Sequence, residues 1–217
     1  MPFSKIIQEQ FPVPKSMTEL ACSFAASAPC PSITDRNEFA TPATHLDWCG
    51  MNSLPSIRTA TPADVPILLT LIEALAVYEH LEHQFEATLE KLAAGLFGAS
   101  PCAEAFMIEA DGTVAGFALC FQNFSTFLAQ PGLHLEDLFV KPEFRGRGYG
   151  KALLRYLARL AVDRGCGRFE WTVLDWNESS IGFYRKQGAE ILPDWRICRV
   201  TGPALTRLAT TAANNEP

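Results

Sequence analysis

The 217-residue chain has no apolar run approaching the roughly 20 residues a membrane-spanning helix needs. Even Ala152–Val162 is broken by Arg155 and Arg159, so no membrane partner is expected. It has no excess of positive charge either. The formal net charge is -6, whereas a nucleic-acid partner normally demands a basic face. None of the seven cysteines forms a Cys-x-x-Cys pair, and several lie in apolar strand-like runs. They read as reduced thiols of a cytoplasmic protein, with no metal site. Phe3 to Leu20 mixes Lys, Glu and Pro, so it offers no apolar core for a secretory signal. The acids Glu9, Glu19, Asp35, Glu38 and Asp47 argue against an organelle-targeting peptide. Also missing are the Gly-Lys-Ser/Thr of a nucleotide-binding P-loop and the Gly-x-Gly-x-x-Gly of a dinucleotide fold.

What remains is a chain with 48% hydrophobic and 19% charged residues, long enough for one domain with a real core. Residues 1–54 scatter Pro12, Pro14, Pro29, Pro31 and Pro42 among Ser, Thr and Ala without periodicity. They are expected to be a poorly ordered extension, with a domain over 55–209 and a flexible tail over 210–217. Within that domain the pattern opens with a short strand at 56–59. Thr61-Pro62-Ala63-Asp64 then reads as a helix start, followed by Ile67, Leu68, Leu71, Ile72, Leu75 and Tyr78 at helical spacing.

A second helix is expected at 88–97, and a hairpin over 104–122 turning at Asp111-Gly112. A loop at Pro131-Gly132 then leads to a strand at 133–140, a glycine-rich turn and a helix at 150–164. A strand at 168–174, a helix at 178–187 and a last strand near 195–200 complete the order βααβββαβαβ. That order implies an α/β (α+β) mixed sheet with helices on both faces.

Leu138-Phe139-Val140-Lys141-Pro142-Glu143-Phe144-Arg145-Gly146-Arg147-Gly148-Tyr149-Gly150-Lys151 reads strand, turn, helix. Alternating glycines let the backbone approach a ligand, and the helix start favours a pyrophosphate. Arg145-x-x-Gly148-x-Gly150 resembles the acetyl-CoA signature of the GNAT superfamily of N-acetyltransferases. Asn177-Glu178-Ser179-Ser180-Ile181-Gly182-Phe183-Tyr184, running on to Gly188-Ala189, resembles its second signature. Ile57-Arg58, Ala60-Thr61, Asp64 and Tyr78-Glu79 add likeness to the diamine (spermidine/spermine-like) branch and its plant and bacterial relatives. Asn123-Phe124-Ser125-Thr126-Phe127-Leu128 departs from the Asp-Pro-Trp loop of typical polyamine enzymes, so shorter diamines or basic amino acids become equally credible substrates.

The resemblance implies a GNAT fold, a mostly antiparallel twisted sheet whose two central parallel strands splay around acetyl-CoA. It implies that Leu138, Phe139 and Val140 pair with the pantetheine arm. Arg145, Gly146, Arg147, Gly148, Tyr149, Gly150 and Lys151 would hold the pyrophosphate, and Asn177 the cofactor arm, with capping a helix as Asn177's other role. Glu136 becomes the candidate base and Tyr184 the candidate acid for direct acetyl transfer to a small cationic amine. Glu136 otherwise reads as a solvated strand acid, and Phe183-Tyr184 as packing aromatics. Adjacent strand residues face opposite ways, so Glu136 and Asp137 can share one amine only across a bulge. Tyr78, Glu79, Glu82 and Asp137 are the candidate substrate contacts, the helix-end acids reading equally as a solvated terminus. Relatives in this branch pair as homodimers, and the last strand and the segment 201–208 are the expected contributors. A peptide N-acetyltransferase and a non-catalytic acyl-CoA-binding module stay open as alternatives.

Overall fold

The computed structural model describes residues 55–210. The expected extension over 1–54 lies outside those residues, as does the expected tail over 210–217 apart from Thr210. Strand β1, Ser56–Thr59, precedes a 3-10 turn, Pro62–Asp64, and helix α1, Val65–Tyr78. Thr61 and Asp64 close a capping box at the start of that turn. Arg58 ties the same corner to the sheet, donating to Asp64 at 2.7 and 2.8 Å and to Glu109 at 2.8 Å. Helix α2, Leu89–Phe97, starts at Thr88, whose hydroxyl accepts from the Lys91 amide.

Three long strands follow: β2, Glu104–Ala110; β3, Thr113–Ser125; and β4, Gln130–Val140. Helix α3, Tyr149–Asp163, strand β5, Arg168–Trp171, helix α4, Glu178–Lys186, and helix α5, Gly202–Thr210, complete the described chain. The sheet order is β1-β2-β3-β4-β5, antiparallel throughout except for the parallel β4–β5 pair. Helices α1 and α2 cover one face, where Leu68, Leu71, Leu75 and Leu96 pack with Met107, Phe117, Leu119 and Phe139. Helix α3 covers the other, burying Ala152, Leu153, Leu154, Leu157 and Ala161, with Tyr156 against Phe106.

Three expectations change. Pro131 and Gly132 are not a loop but strand residues, paired with Phe124 and Asn123. The Pro131 carbonyl accepts from the Gly167 amide at 2.8 Å, and its missing N–H faces that same side, where the ladder with β5 begins only at Gly132, so little is lost. Strand β5 stops at Trp171 instead of 174, because its pairing with β4 ends at Leu135–Trp171. The strand expected near 195–200 is not formed: Trp195 and Ile197 are 73% and 68% exposed and the backbone pairs with no strand of the described chain. Alternation without a neighbour does not make a strand. Helix α5 was not expected; Leu205 and Leu208 share one side of it at i, i+3 spacing.

Candidate active site

Beyond Leu135 and Trp171 the parallel strands separate, and the gap opens into a cavity of about 410 Å³. Leu135 to Val140 form one wall, and Trp171 to Leu174 with Asn177, Phe183 and Tyr184 form the other. The Gly146–Lys151 segment closes one end and Tyr78 with Glu79 the other. Gly146 and Gly148 adopt φ of 76° and 83°, left-handed values that a side chain would strain. This turns the loop so that the unpaired amides opening α3 face the cavity, a ready anion site. Asn177 is buried and caps α4, its Oδ1 accepting from the Ser180 amide at 3.2 Å.

Most candidate residues meet here: Tyr78, Glu79, Glu136, Asp137, Leu138, Phe139, Val140, Arg145, Gly146, Gly148, Tyr149, Gly150, Lys151, Asn177 and Tyr184 all line the cavity. Arg147 and Glu82 do not. The Arg147 guanidinium lies 5.3 Å from the Phe144 ring centre, and Glu82 belongs to a short 3-10 turn beyond α1. The Arg145 side chain is drawn inward across the sheet end. Its Nε donates to the Val140 carbonyl at 3.0 Å, and its guanidinium lies 4.7 Å from the Tyr78 ring centre.

A β-bulge at Glu136 organises the acidic end. Leu119 pairs with Asp137 and Cys120 with Leu135, which leaves Glu136 without a partner in the ladder. Leu119 and Phe139 belong to the α1 side of the sheet, so Asp137 between them in register faces that side too. Burial pushes the Asp137 carboxyl up to about 7, helped by the charges of Glu136 and Glu79. Glu79 is itself raised by burial. It caps the C-terminal end of α1, where the helix dipole disfavours an anion, so the helix gains nothing from an acid at this place. Glu136 is more open, its side chain 56% exposed, with Oε2 3.7 Å from His134 Nε2.

Across the cavity Tyr184 is buried beside Trp171, ring centres 5.1 Å apart. Burial, then the charges of Glu79 and Tyr78, push its phenol up to about 12. Such a phenol stays protonated and is a hydrogen-bond donor at neutral pH. Cys166 is raised by burial, the opposite of an activated thiol. Trp171, Leu174, Ser179 and Ser180 line the cavity too and went unnoticed in the sequence. Only the second signature's Asn177-Glu178-Ser179-Ser180 run held a hint, and of the two serines alone.

An open sheet with one parallel splay, a glycine loop at a helix start and an acidic pocket opposite a buried tyrosine define an acyl-transfer fold. The Acetyltransferase (GNAT) family model matches residues 73–189, and the chain belongs to that family. It is similar to the L-ornithine N5-acetyltransferase of Arabidopsis thaliana, 36% identical over 201 residues that cover 72% of this chain and 88% of that one. It is equally similar to the thialysine N-epsilon-acetyltransferase of Bos taurus, 36% identical over 164 residues that cover 70% of this chain and 96% of that one. Among solved structures, an integron cassette protein from the mobile metagenome of V. cholerae superposes with a TM-score of 0.63 at 25% identity, covering 75% of this chain and 100% of that one. The chain is thus an N-acetyltransferase, of the branch that handles amines and basic amino acids.

Proposed function

We propose that this enzyme transfers acetyl from acetyl-CoA to a primary amine of a small diamine or basic amino acid, by direct attack in a ternary complex. The observation that carries this reading is the bulge at Glu136, which gathers Glu136, Asp137 and Glu79 about one end of the cavity opposite Tyr184. In that reading the glycine loop and the start of α3 hold the pyrophosphate, and Leu138, Phe139 and Val140 run beside the pantetheine arm. Asn177, with its Oδ1 committed to the cap, offers its amide nitrogen to that arm.

The substrate enters as an ammonium, drawn by the three carboxylates. Asp137, near half ionised at neutral pH, takes one proton, and Glu136, open to water, passes protons outward. The freed amine attacks the thioester carbonyl. As the C–S bond breaks, the Tyr184 hydroxyl hydrogen-bonds the sulfur and stabilises the leaving thiolate, which ends as the thiol by taking up the second proton, the one the nitrogen loses as the amide forms. The raised cysteine supports a route without an acyl-enzyme.

We extend the reading to a cytoplasmic homodimer. The exposed Leu192, Trp195, Ile197 and Val200, followed by Leu205 and Leu208 on α5, support a segment that packs on a second copy. Sedimentation of the purified chain tests this, with Trp195→Glu expected to shift a dimer to monomer.

The activity is tested by thiol release from acetyl-CoA with putrescine, spermidine, ornithine, lysine, thialysine and a lysine-containing peptide. Turnover of one or more small amines above the peptide is expected. Tight acetyl-CoA binding with silence across the panel would overturn the reading.

A further inference from the structure

A diamine needs nothing from its pocket but anions, whereas a basic amino acid also brings a carboxylate that requires a cation. Among the described residues lining the cavity, the cations are Arg145 in the cofactor loop and Lys151 in the first turn of α3, and Arg145 is engaged with Val140 and Tyr78. The acidic end supplies none. The next cation on that side of the sheet is Arg168.

Register places it there. His134 pairs with Phe121 on one side and Glu170 on the other, while Gly132 pairs with Asn123 and Arg168. Paired residues share a face of the sheet, as do residues two apart. Phe121 is two residues from Leu119 and therefore on the α1 side, so His134, Glu170, Gly132, Asn123 and Arg168 form a polar continuation of the row that holds Glu136. Arg168 and Glu170 stay part-exposed, with side chains 39% and 37% accessible. By ordinary strand spacing and rise, the Cα of Glu170 lies about 8 Å from that of Glu136 and the Cα of Arg168 about 14 Å, a distance the arginine side chain shortens by reaching along the strand to Glu170. A basic amino acid spans about 6–7 Å from side-chain nitrogen to carboxylate.

The arginine is also held in place. Its Nη2 lies 3.0 Å from Glu170 Oε1, which accepts in turn from Asn123 Nδ2 at 2.7 Å. Both side chains lie over Gly132: a Cβ there would collide with Asn123 Oδ1 and press on Arg168 Cγ and Nε at 3.1 and 3.3 Å. Asn123 Oδ1 is buried there without a hydrogen-bond partner, an acceptor close to the guanidinium.

We infer that Arg168, held over Gly132 by Glu170 and Asn123, receives the α-carboxylate of a basic amino acid whose side-chain amine lies at Asp137. Glu170 faces the α-ammonium. Arg168 thereby sets the preference for such amino acids over diamines of equal chain length. This rests on the amine-acetyltransferase reading above.

Ornithine with putrescine, and lysine with cadaverine, are substrate pairs that differ only in the carboxylate. Arg168→Gln is expected to lower kcat/KM for ornithine and lysine by about 10- to 100-fold, chiefly through KM, as for a lost charge-assisted contact. The two diamines are expected to change far less. Gly132→Ala keeps the charge but displaces its seat, and is expected to shift the same ratio in the same direction. Acetyl-CoA affinity and Tm, measured alongside, report folding. If the wild type acetylates these amines and neither variant moves the ratio, Arg168 has no such role while the activity stands. If the wild type binds acetyl-CoA and acetylates none of the four, the underlying reading fails and this one with it.

Discussion

Glu136 and Asp137 are neighbours on one strand, yet both line the same cavity, because Glu136 is the extra residue of a bulge. The same pair raises the cost of ionising Asp137, which is already buried. A strand that put its two acids on opposite faces would give one to the core and leave the other unable to share the amine. The bulge thus converts a sequence of ordinary alternation into a local anion pair, and the consequences can be measured.

The first concerns pH. The folded carboxyl of Asp137 titrates near 7, above the value near 4 of an unfolded chain. Between those limits the folded state holds a proton that the unfolded state has lost, so this group's stabilising share is full below pH 4 and is lost as pH rises through 7. Asp137→Asn is expected to match wild-type stability at pH 4 and to exceed it at pH 8, by about 1–2 kcal/mol after allowance for solvent in the cavity. Thermal melts across that range check it. Turnover of the same variant is expected to fall, and the wild-type kcat/KM to decline on the acidic side with an apparent pKa near 7.

Tyr184→Phe separates binding from chemistry. The ring keeps its contact with Trp171, so the cavity wall stays intact, while the only group lost is the hydroxyl. A fall in kcat of about 100-fold with acetyl-CoA affinity within about twofold of wild type is expected. Because the phenol is pushed up to about 12, no basic limb assignable to it is expected below pH 10 in the wild-type profile. Titration calorimetry with acetyl-CoA, beside thiol-release kinetics, reads both quantities.

Much of this was legible in the sequence because its signals are local. Thr61-Pro62-Ala63-Asp64 starts a helix through groups three residues apart, and Gly146 and Gly148 take the backbone angles that glycine alone adopts easily. What stayed hidden depends on partners distant in the chain. The bulge at Glu136 is a mismatch between two strands, invisible in either. The Arg145 side chain lies against the ring of Tyr78, 67 positions earlier, a contact no local pattern announces. Trp195–Val200 carries strand-like residues, but strand formation needs a partner strand far off in the chain, and among the described residues this segment pairs with none.

Arg58 and Asp64 provide a control remote from the chemistry. Asp64 is buried and accepts from two guanidinium nitrogens and from the Thr61 amide and hydroxyl, so its carboxyl is held well below the usual range, first by the Arg58 hydrogen bonds. With the folded value depressed, that stability is present above the unfolded pKa near 4 and lost as pH falls below it. Asp64→Ala is expected to cost about 2–4 kcal/mol at pH 7, since it leaves Arg58 with half its partners and undoes a helix start. Denaturant melts at pH 7 give the loss. The acetyl-CoA affinity of the folded fraction is expected to be unchanged.

Deleting Glu136 tests the bulge itself. Leu135 pairs with Cys120 and Asp137 with Leu119, and those partners are already consecutive on β3. Without Glu136 the two ladders would join in register, Leu135 keeping the α3 side and Asp137 the α1 side, so no core residue changes face. The parallel pairing with β5 ends at Leu135 and is left whole. The shortened chain is therefore expected to fold with a Tm equal to or above that of the wild type, since a ladder interruption and one charge beside Asp137 both disappear. Its kcat is expected to drop by about 100-fold or more, because Asp137 loses its route for protons to water. Glu136→Gln retains the bulge and the side-chain length, and is expected to lose less at high pH than at low pH, where the ammonium is hardest to deprotonate. A deletion that unfolds the protein would show that the bulge is needed by the sheet. A deletion that keeps full turnover would remove Glu136 from the chemistry.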